Sequence, residues 1–394
     1  MMTSTNRAPF SLLSLSAALA LSACTLPTKL AELTAGDELT TADPDPSGGE
    51  VVPTTGAGSE SSDSGAPLCM EVQVIGTPLP PNVVLVLDKS GSMVAEGTGF
   101  WDHDDDPITL DVSRWSSLHG VVEALVTDFD DSINFGAHLF PNKAATLAYN
   151  EQACPVDAAI DIAVAGTNKD AVLAGIPGAD ADSLRGGTPT ATAMMVAIDH
   201  LKSLDPDVPR AVVLVTDGAA NCQAGAVPPE LFEVYDETVH TVVADAFTID
   251  EIPTYVVGVG IQDLTSETAS DGNPDATNTF ERLNQLAGDG GKPRDDPDQK
   301  FYHTNNQIEL AAALGTIALD ALSCIIPLGG NQISQGGTGV QIDGLPIPFI
   351  TDCSTQDGWM YTNPDGPFDA IRLCGSACGG LKIVGQAEIS VCML

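Results

Sequence analysis

Wholly aliphatic runs alternate with helical patterns along the middle of the chain. Asn82 to Leu87 (NVVLVL) is one such run, stopped by Asp88, and Ala211 to Thr216 (AVVLVT) is another, stopped by Asp217 and Gly218. A strand that is apolar at every position, and not only at every second one, is a strand covered on both faces, as in a parallel sheet. Ile133 to Phe140 and Tyr255 to Val259 predict two more strands, Phe301 to His303 a short last one, and Val156 to Val164 alternates as an edge strand does. Ser113 to Phe129 places Trp115, Leu118, Val122, Leu125 and Val126 on one helical stripe. Pro189 to Leu204 predicts a helix beside a Gly-Gly-Thr-Pro start signal, and Leu231 to Ile249, Phe280 to Leu286 and Ile308 to Leu322 predict three more. This alternation predicts an α/β domain with a doubly wound, mostly parallel sheet and helices on both faces.

The two ends read differently. Arg7 precedes an apolar run from Phe10 to Ala23, too short to span a membrane and flanked as an export signal is. Its end, Leu21-Ser22-Ala23-Cys24, resembles the lipobox of bacterial lipoproteins, which implies cleavage before Cys24 and acylation of that cysteine. Two acyl chains anchor stably where one does not. Thr25 is not the Asp that, in that family pattern, retains lipoproteins at the inner membrane, so the resemblance favours the outer membrane or cell surface. Thr25 to Pro67 is rich in Thr, Ser, Gly, Pro and acid, and such a stretch extends without folding. At the other end, Ile325 to Leu394 carries many Gly and Pro, four cysteines and short apolar runs (Ile347 to Ile350, Ile371 to Leu373, Leu381 to Val384, Ala387 to Val391), the marks of a small disulfide-stapled β module. The expected organisation is therefore a signal peptide (1–23), an acidic linker (24–67), the α/β domain (68–324) and a cysteine-rich β module (325–394).

Composition changes this picture in two ways. Lys+Arg number 15 against Asp+Glu 54, a formal charge of −39, which repels nucleic acid and attracts cations. Nine cysteines less Cys24 leave an even set in an oxidising compartment: Cys69, Cys154, Cys222, Cys324, Cys353, Cys374, Cys378 and Cys392 are all disulfide candidates.

Three segments carry the candidate chemistry. Asp88-Lys89-Ser90-Gly91-Ser92-Met93 follows the first aliphatic strand, Gly186-Gly187-Thr188-Pro189-Thr190 opens a helix, and Thr216-Asp217-Gly218 follows the AVVLV strand. In a doubly wound sheet, the loops after the strand C-termini gather on one edge, so two carboxylates and several hydroxyls would converge there. Hard oxygen donors of this kind suit Mg²⁺, which takes octahedral coordination at about 2.0–2.1 Å and keeps several waters.

Here the sequence resembles the von Willebrand factor type A (vWA) family, a Rossmann-like fold, over roughly Asn82 to Leu322. The pattern is Asp-x-Ser-x-Ser, then a Thr, then an Asp, the metal-ion-dependent adhesion site. The resemblance implies that Ser90, Ser92 and Thr188 ligate Mg²⁺ or Mn²⁺ directly and that Asp88 and Asp217 act largely through bound water. Thr190 competes for the Thr role; the Gly-Gly-Thr start and the helix register favour Thr188. An ion held mostly by neutral groups stays electrophilic and takes an external carboxylate as its last ligand. In this fold the strands before Cys154 and Cys222 flank the first strand, so the resemblance also implies a Cys154–Cys222 disulfide on the metal-bearing edge. Cys69 and Cys324 bracket the domain and could tie its ends, while Cys324 has the alternative of pairing within the tail.

Weaker signals remain. Asp102, Asp104 and Asp106 alternate as in a calcium loop and are a candidate second metal site, for Ca²⁺, although Pro107 and Ser113 at the sixth and twelfth positions exclude an EF-hand. A solvated acidic loop is the simpler reading. Cys374 and Cys378 have zinc-like chemistry but long spacing, and export favours disulfides. The six histidines form no His-Glu-x-x-His pair, and neither a Gly-x-Ser-x-Gly elbow nor a phosphate loop is present. The expectation is a non-enzymatic, metal-dependent surface binding protein that captures a protein or other acidic ligand. Its rivals are an envelope or motility assembly component binding a neighbour in cis, and a metal-assisted hydrolase.

Overall fold

The computed structural model describes residues 70–329 and 337–393. In chain order the first part comprises β1 (Met70–Gly76), β2 (Asn82–Asp88), the short β3 (Phe100–Trp101) and β4 (Val112–Ser113), α1 (Arg114–Asp128), β5 (Asn134–Phe140) and β6 (Ile162–Ala165). Then come α2 (Lys169–Gly175), α3 (Thr190–Lys202), β7 (Arg210–Thr216), α4 (Glu230–Glu233), α5 (Thr238–Thr248), β8 (Thr254–Val259), α6 (Thr279–Asp289), β9 (Tyr302–Thr304) and α7 (Gln307–Ala321).

Six of these strands form a central mixed sheet in the order β6-β5-β2-β7-β8-β9. Pairing is parallel throughout except for the edge strand β6, which runs antiparallel to β5. All seven residues of β2 are buried because both faces of the sheet are covered. Val83, Leu85 and Leu87 enter one core with Trp115, Leu118 and Val122 of α1 and with Leu314 of α7. Val84 and Val86 enter a second core with Met194 and Leu201 of α3, Val239 of α5 and Leu286 of α6. Ser113 caps α1 by accepting the Ser116 N–H at 3.0 Å, which fixes where the chain turns from the loop above β2 into the helix.

Two predicted elements are corrected. The helix expected over Leu231 to Ile249 is interrupted: the backbone is extended at Val234, where α4 ends, Tyr235 is buried against the second core, and Asp236 accepts the N–H of Thr238 at 3.1 Å in the turn before α5. Of the strand expected from Val156 to Val164, the sheet takes up only Ile162–Ala165; ahead of it, Asp157 and Asp161 accept bonds from Asn142 and from the Leu139 N–H.

The remainder comprises β10 (Ile325–Pro327), β11 (Gly339–Ile342), β12 (Leu345–Ile347), β13 (Gly358–Tyr361), β14 (Ala370–Cys374), α8 (Ser376–Val384) and β15 (Ala387–Met393). These strands form one sheet in the order β10-β14-β13 and another in the order β1-β15-β11-β12. The second therefore recruits β1 from ahead of the central sheet, paired to β15 from Met70↔Met393 to Gly76↔Ala387. Their core holds Ile326, Val340, Trp359, Tyr361, Ile371, Leu373, Leu381 and Ile389. The apolar run Leu381 to Val384, expected as part of a β module, is helical: Ala377, Leu381 and Val384 share one face at helical spacing, and Gly385 ends the helix in the left-handed region.

Three disulfides are described: Cys154–Cys222, Cys324–Cys378 and Cys353–Cys374. Cys324 thus pairs within the tail and not with Cys69. Cys24 and Cys69 lie outside the described residues, as do the signal and linker segments and the side chain of Cys392.

Candidate metal centre

The three motif segments meet at the C-terminal ends of β2 and β7. Asp88 is the last residue of β2 and is fully buried. Its Oδ1 accepts the Ser90 N–H at 2.8 Å and its Oδ2 accepts the Thr216 hydroxyl at 2.6 Å. Ser90 and Ser92 stand in the tight turn that follows, with their hydroxyls 2.8 Å apart, and Ser92 donates to Asp217 Oδ1 at 2.7 Å. A continuous chain of oxygens therefore runs from Ser90 through Ser92 to Asp217.

The third segment is tied in by backbone bonds. Gly91 N–H donates to the Gly186 carbonyl at 3.2 Å, and Gly187 N–H to that of Ala153 at 2.9 Å. Gly186 has φ +107, and a Cβ there would lie 2.4 Å from the Ala153 carbonyl oxygen, so glycine alone permits this turn. Thr188 and Asn221 hold each other: Thr188 N–H donates to Asn221 Oδ1 at 2.8 Å and Asn221 N–H to the Thr188 carbonyl at 3.0 Å. The Thr188 hydroxyl faces Gly218, the residue after Asp217. The Thr190 hydroxyl turns back to the Thr188 carbonyl. Of the two competing threonines, Thr188 is the one whose hydroxyl lies against the turn that follows Asp217.

Electrostatically the centre is under tension. Burial, and then the charge of Asp217, push the Asp88 carboxyl up to about 7, against the bonds from Thr216 and Ser90. Burial raises Asp217 too, opposed by Arg114, whose Nη1 donates to Asp217 Oδ2 at 2.9 Å. Lys89 behind the site is lowered by burial, against the pull of Asp161, Asp157 and Asp88. His138, fully buried on β5, lies with Nδ1 2.7 Å from Asp161. Two buried carboxylates with serine and threonine hydroxyls between them are a hard-oxygen donor set that fits a small divalent cation, whose charge would offset the carboxylates' repulsion.

The second candidate set is not gathered around a point. Asp102, Asp104 and Asp106 each accept the backbone N–H two residues further on, so they organise their own exposed loop. Among the described residues, no group of three or more His, Cys, Asp or Glu side chains is arranged to hold a metal ion.

Sequence reasoning missed Arg114, Asn221 and Glu233. Arg114 left one signal: it is the first residue of a helix, where the dipole disfavours a cation. Asn221 left none, being one more polar residue in a loop. Glu233 is buried, accepts the Gly272 N–H at 3.0 Å and the Tyr149 hydroxyl, and braces the loop that Asn221 also reaches through the Gly272 carbonyl.

Neither a family model nor a curated protein sequence matches the chain. Among solved structures, the pilus adhesin SpaC from Lactobacillus rhamnosus GG aligns with TM-score 0.43 and 14% identity, over 82% of this chain and 41% of SpaC. The PilB minor pilin from Streptococcus sanguinis aligns with TM-score 0.37 and 18% identity, over 62% of this chain and 61% of PilB. The manganese-loaded TRAP protein of Plasmodium vivax aligns with TM-score 0.36 and 14% identity, over 62% of this chain and 76% of TRAP. The chain spans less than two thirds of the length of SpaC and of PilB.

Proposed function

We propose that the chain is a vWA protein of the bacterial envelope, with a doubly wound sheet, that binds Mg²⁺ or Mn²⁺ and captures an acidic group of a partner protein through the ion. The observation that carries this reading is the convergence of Asp88, Ser90, Ser92, Thr188 and Asp217 on one sheet edge, with both carboxylates buried and raised. Ser90, Ser92 and Thr188 would hold the ion as neutral ligands, and Asp88 and Asp217 would orient its waters and balance its charge. The bound ion supplies an electrophilic position for one carboxylate oxygen.

A protein partner is favoured by the surroundings. Ile108, Leu110, Leu147, Val227 and Leu264 are all exposed, and all sit on loops that follow the C-terminal ends of β2, β5, β7 and β8, the edge that carries the acids. Exposed apolar side chains on loops of the same sheet edge offer contact area to a protein surface. The test is metal-dependent capture. The immobilised chain with Mn²⁺ should retain proteins from envelope and extracellular material, and a chelator should release them. Retention that ignores the chelator, or an absence of Mn²⁺ uptake, contradicts the reading. Release of a neighbouring envelope component in place of an extracellular one would assign the same site to assembly in cis.

We further propose a diacyl anchor at Cys24, on the strength of Leu21-Ser22-Ala23-Cys24, with Thr25 to Pro67 as a spacer. Among the described residues no helix is long and apolar enough to cross a membrane. Intact mass of the membrane-purified protein should show a chain starting at acylated Cys24, and Cys24→Ser should leave it unprocessed or released. An unmodified N-terminus at another residue would refute the anchor.

A further inference from the structure

A cleft of about 380 Å³ opens beside the metal centre, between α4 in the loop after β7 and the loop that follows β8. Three acids line it: Glu230 and Glu233 from α4, and Asp275 from the facing loop. The cleft is separate from the centre but joined to it by one relay. Asn221, which holds Thr188, donates from Nδ2 to the Gly272 carbonyl at 3.0 Å, and the Gly272 N–H donates to Glu233 Oε1 at 3.0 Å.

The negative charge of this cleft is uncompensated. Among the described residues none of the three acids forms an ion pair. Glu233 is only 6% exposed; its Oε1 takes the Gly272 N–H and the Tyr149 hydroxyl, while Oε2 accepts no hydrogen bond. Asp275 uses Oδ1 to accept the Ala269 N–H at 2.9 Å, and Glu230 stands exposed at the mouth. Burial, then the bond and charge of Glu233, then Asp275 and Asp271, push the neighbouring Tyr149 phenol up to about 12. A buried carboxylate with neither counter-ion nor full hydrogen bonding is costly, so the cleft favours a positive group.

The walls decide which kind. The acids are not gathered around a point as a metal ion requires. Pro229, Val234 and Ala269 set apolar surface beside them. A lysine or arginine side chain matches this mixture, with its carbon stem on the apolar wall and its charged head among the carboxylates. We infer that the cleft is a subsite for a basic side chain of the partner protein, with Glu230 and Asp275 receiving its N–H groups and Glu233 supplying charge from the floor. Assigning that side chain to a partner rests on the protein-capture reading above; the cleft's preference for a cation does not. The partner would then present an acid to the ion and a base to the cleft, both on one sheet edge.

The test begins with the full ¹⁵N-labelled chain in EDTA, where the metal centre plays no part. Nα-acetyl-lysine N-methylamide and its arginine counterpart are titrated in, with the norleucine compound as the neutral match. Both bases should shift the amide signals of Val234, Ala269 and Ser270 saturably, and norleucine should not. Glu233→Gln keeps an oxygen for Gly272 and Tyr149, and Asp275→Asn keeps one for Ala269, so both variants should hold the wild-type amide pattern elsewhere. Each should bind the bases about five-fold more weakly. Equal shifts with norleucine, or unchanged base affinity in both variants, overturn the subsite whether or not the chain takes up Mn²⁺. With Mn²⁺ present, Glu233→Gln should also capture about five-fold less partner protein than the wild type. Base binding as expected, but equal Mn²⁺-dependent capture by the wild type and Glu233→Gln, overturns the assignment to a partner and leaves the metal centre standing.

Discussion

Replacing Cys154 and Cys222 together by serine should lower the unfolding free energy by about 4 kcal/mol, the loop-entropy value for a bridge across this separation. The two cysteines are 68 residues apart in sequence and 5.7 Å apart at Cα. The bridge joins the loop after β5 to the loop after β7, and a small cluster of Ala153, Leu231 and Phe232 packs around it. Cys222 is held at φ +66, uncommon for a residue with a side chain, and follows Asn221, the residue that fixes Thr188. The loss should therefore reach the centre: Mn²⁺ affinity should fall together with stability. Guanidinium unfolding of the oxidised wild type and the double serine variant measures the first effect, and Mn²⁺ titration the second. A stability loss under about 1 kcal/mol would be too small for closure of so long a loop. An intact Mn²⁺ affinity in the variant would show that Asn221 and Thr188 hold their places without the bridge.

The second large effect is the response to the ion. An ion that binds only the folded chain, at a 100-fold excess over its dissociation constant, adds about 2.7 kcal/mol, or roughly 5–10 °C in melting temperature for a domain of this size. Asp88→Asn should remove that response. The amide oxygen can still accept the Ser90 N–H, so the local turn should persist without the charge. The metal-free wild type should show a pH dependence of known sign. A carboxyl raised on folding from 3.8 to about 7 binds its proton more tightly in the folded state. Its stabilising contribution is complete below the ordinary carboxylate range and is lost as pH rises to about 7. Asp217 acts in the same direction, while Arg114 and Lys89, the cations facing this pair, favour ionisation. Metal needs both carboxylates ionised, so its stabilisation should grow over the same window in which the metal-free chain weakens. Melting curves with and without Mg²⁺, from mildly acid to mildly alkaline pH, check both. A full Mg²⁺ response in Asp88→Asn, or one that shrinks as pH rises, would contradict the centre as described.

Much of the sheet could be read from the chain because burial on both faces leaves a local mark. Asn82 to Leu87 and Ala211 to Thr216 are apolar without alternation, and each ends at the acid that the structure places on the loop edge. Burial on one helical face marks Trp115, Leu118 and Val122 in the same way. Where two influences compete over a few residues, the pattern is ambiguous. The stretch from Leu231 to Ile249 keeps a helical period on both sides of Asp236, and only the backbone, extended at Val234, shows the break. Gly379 and Gly380 argue against a helix, yet α8 forms because Leu381 has a core to enter and Cys378 is bonded to Cys324.

From sequence alone came the order of elements, the aliphatic strands, and the Asp-x-Ser-x-Ser, Thr and Asp segments at the ends where loops gather. These follow from hydrophobic period and turn chemistry, which act over a few neighbouring residues. Tertiary structure decided which of two threonines lies against the Asp217–Gly218 turn, which partner Cys324 takes, and that β1 pairs with β15. It also decided that Arg114 meets Asp217, 103 residues away. These are contacts between distant segments, set by how the packed layers bring loops together, and a side chain's partner across such a distance leaves no periodic mark on the chain.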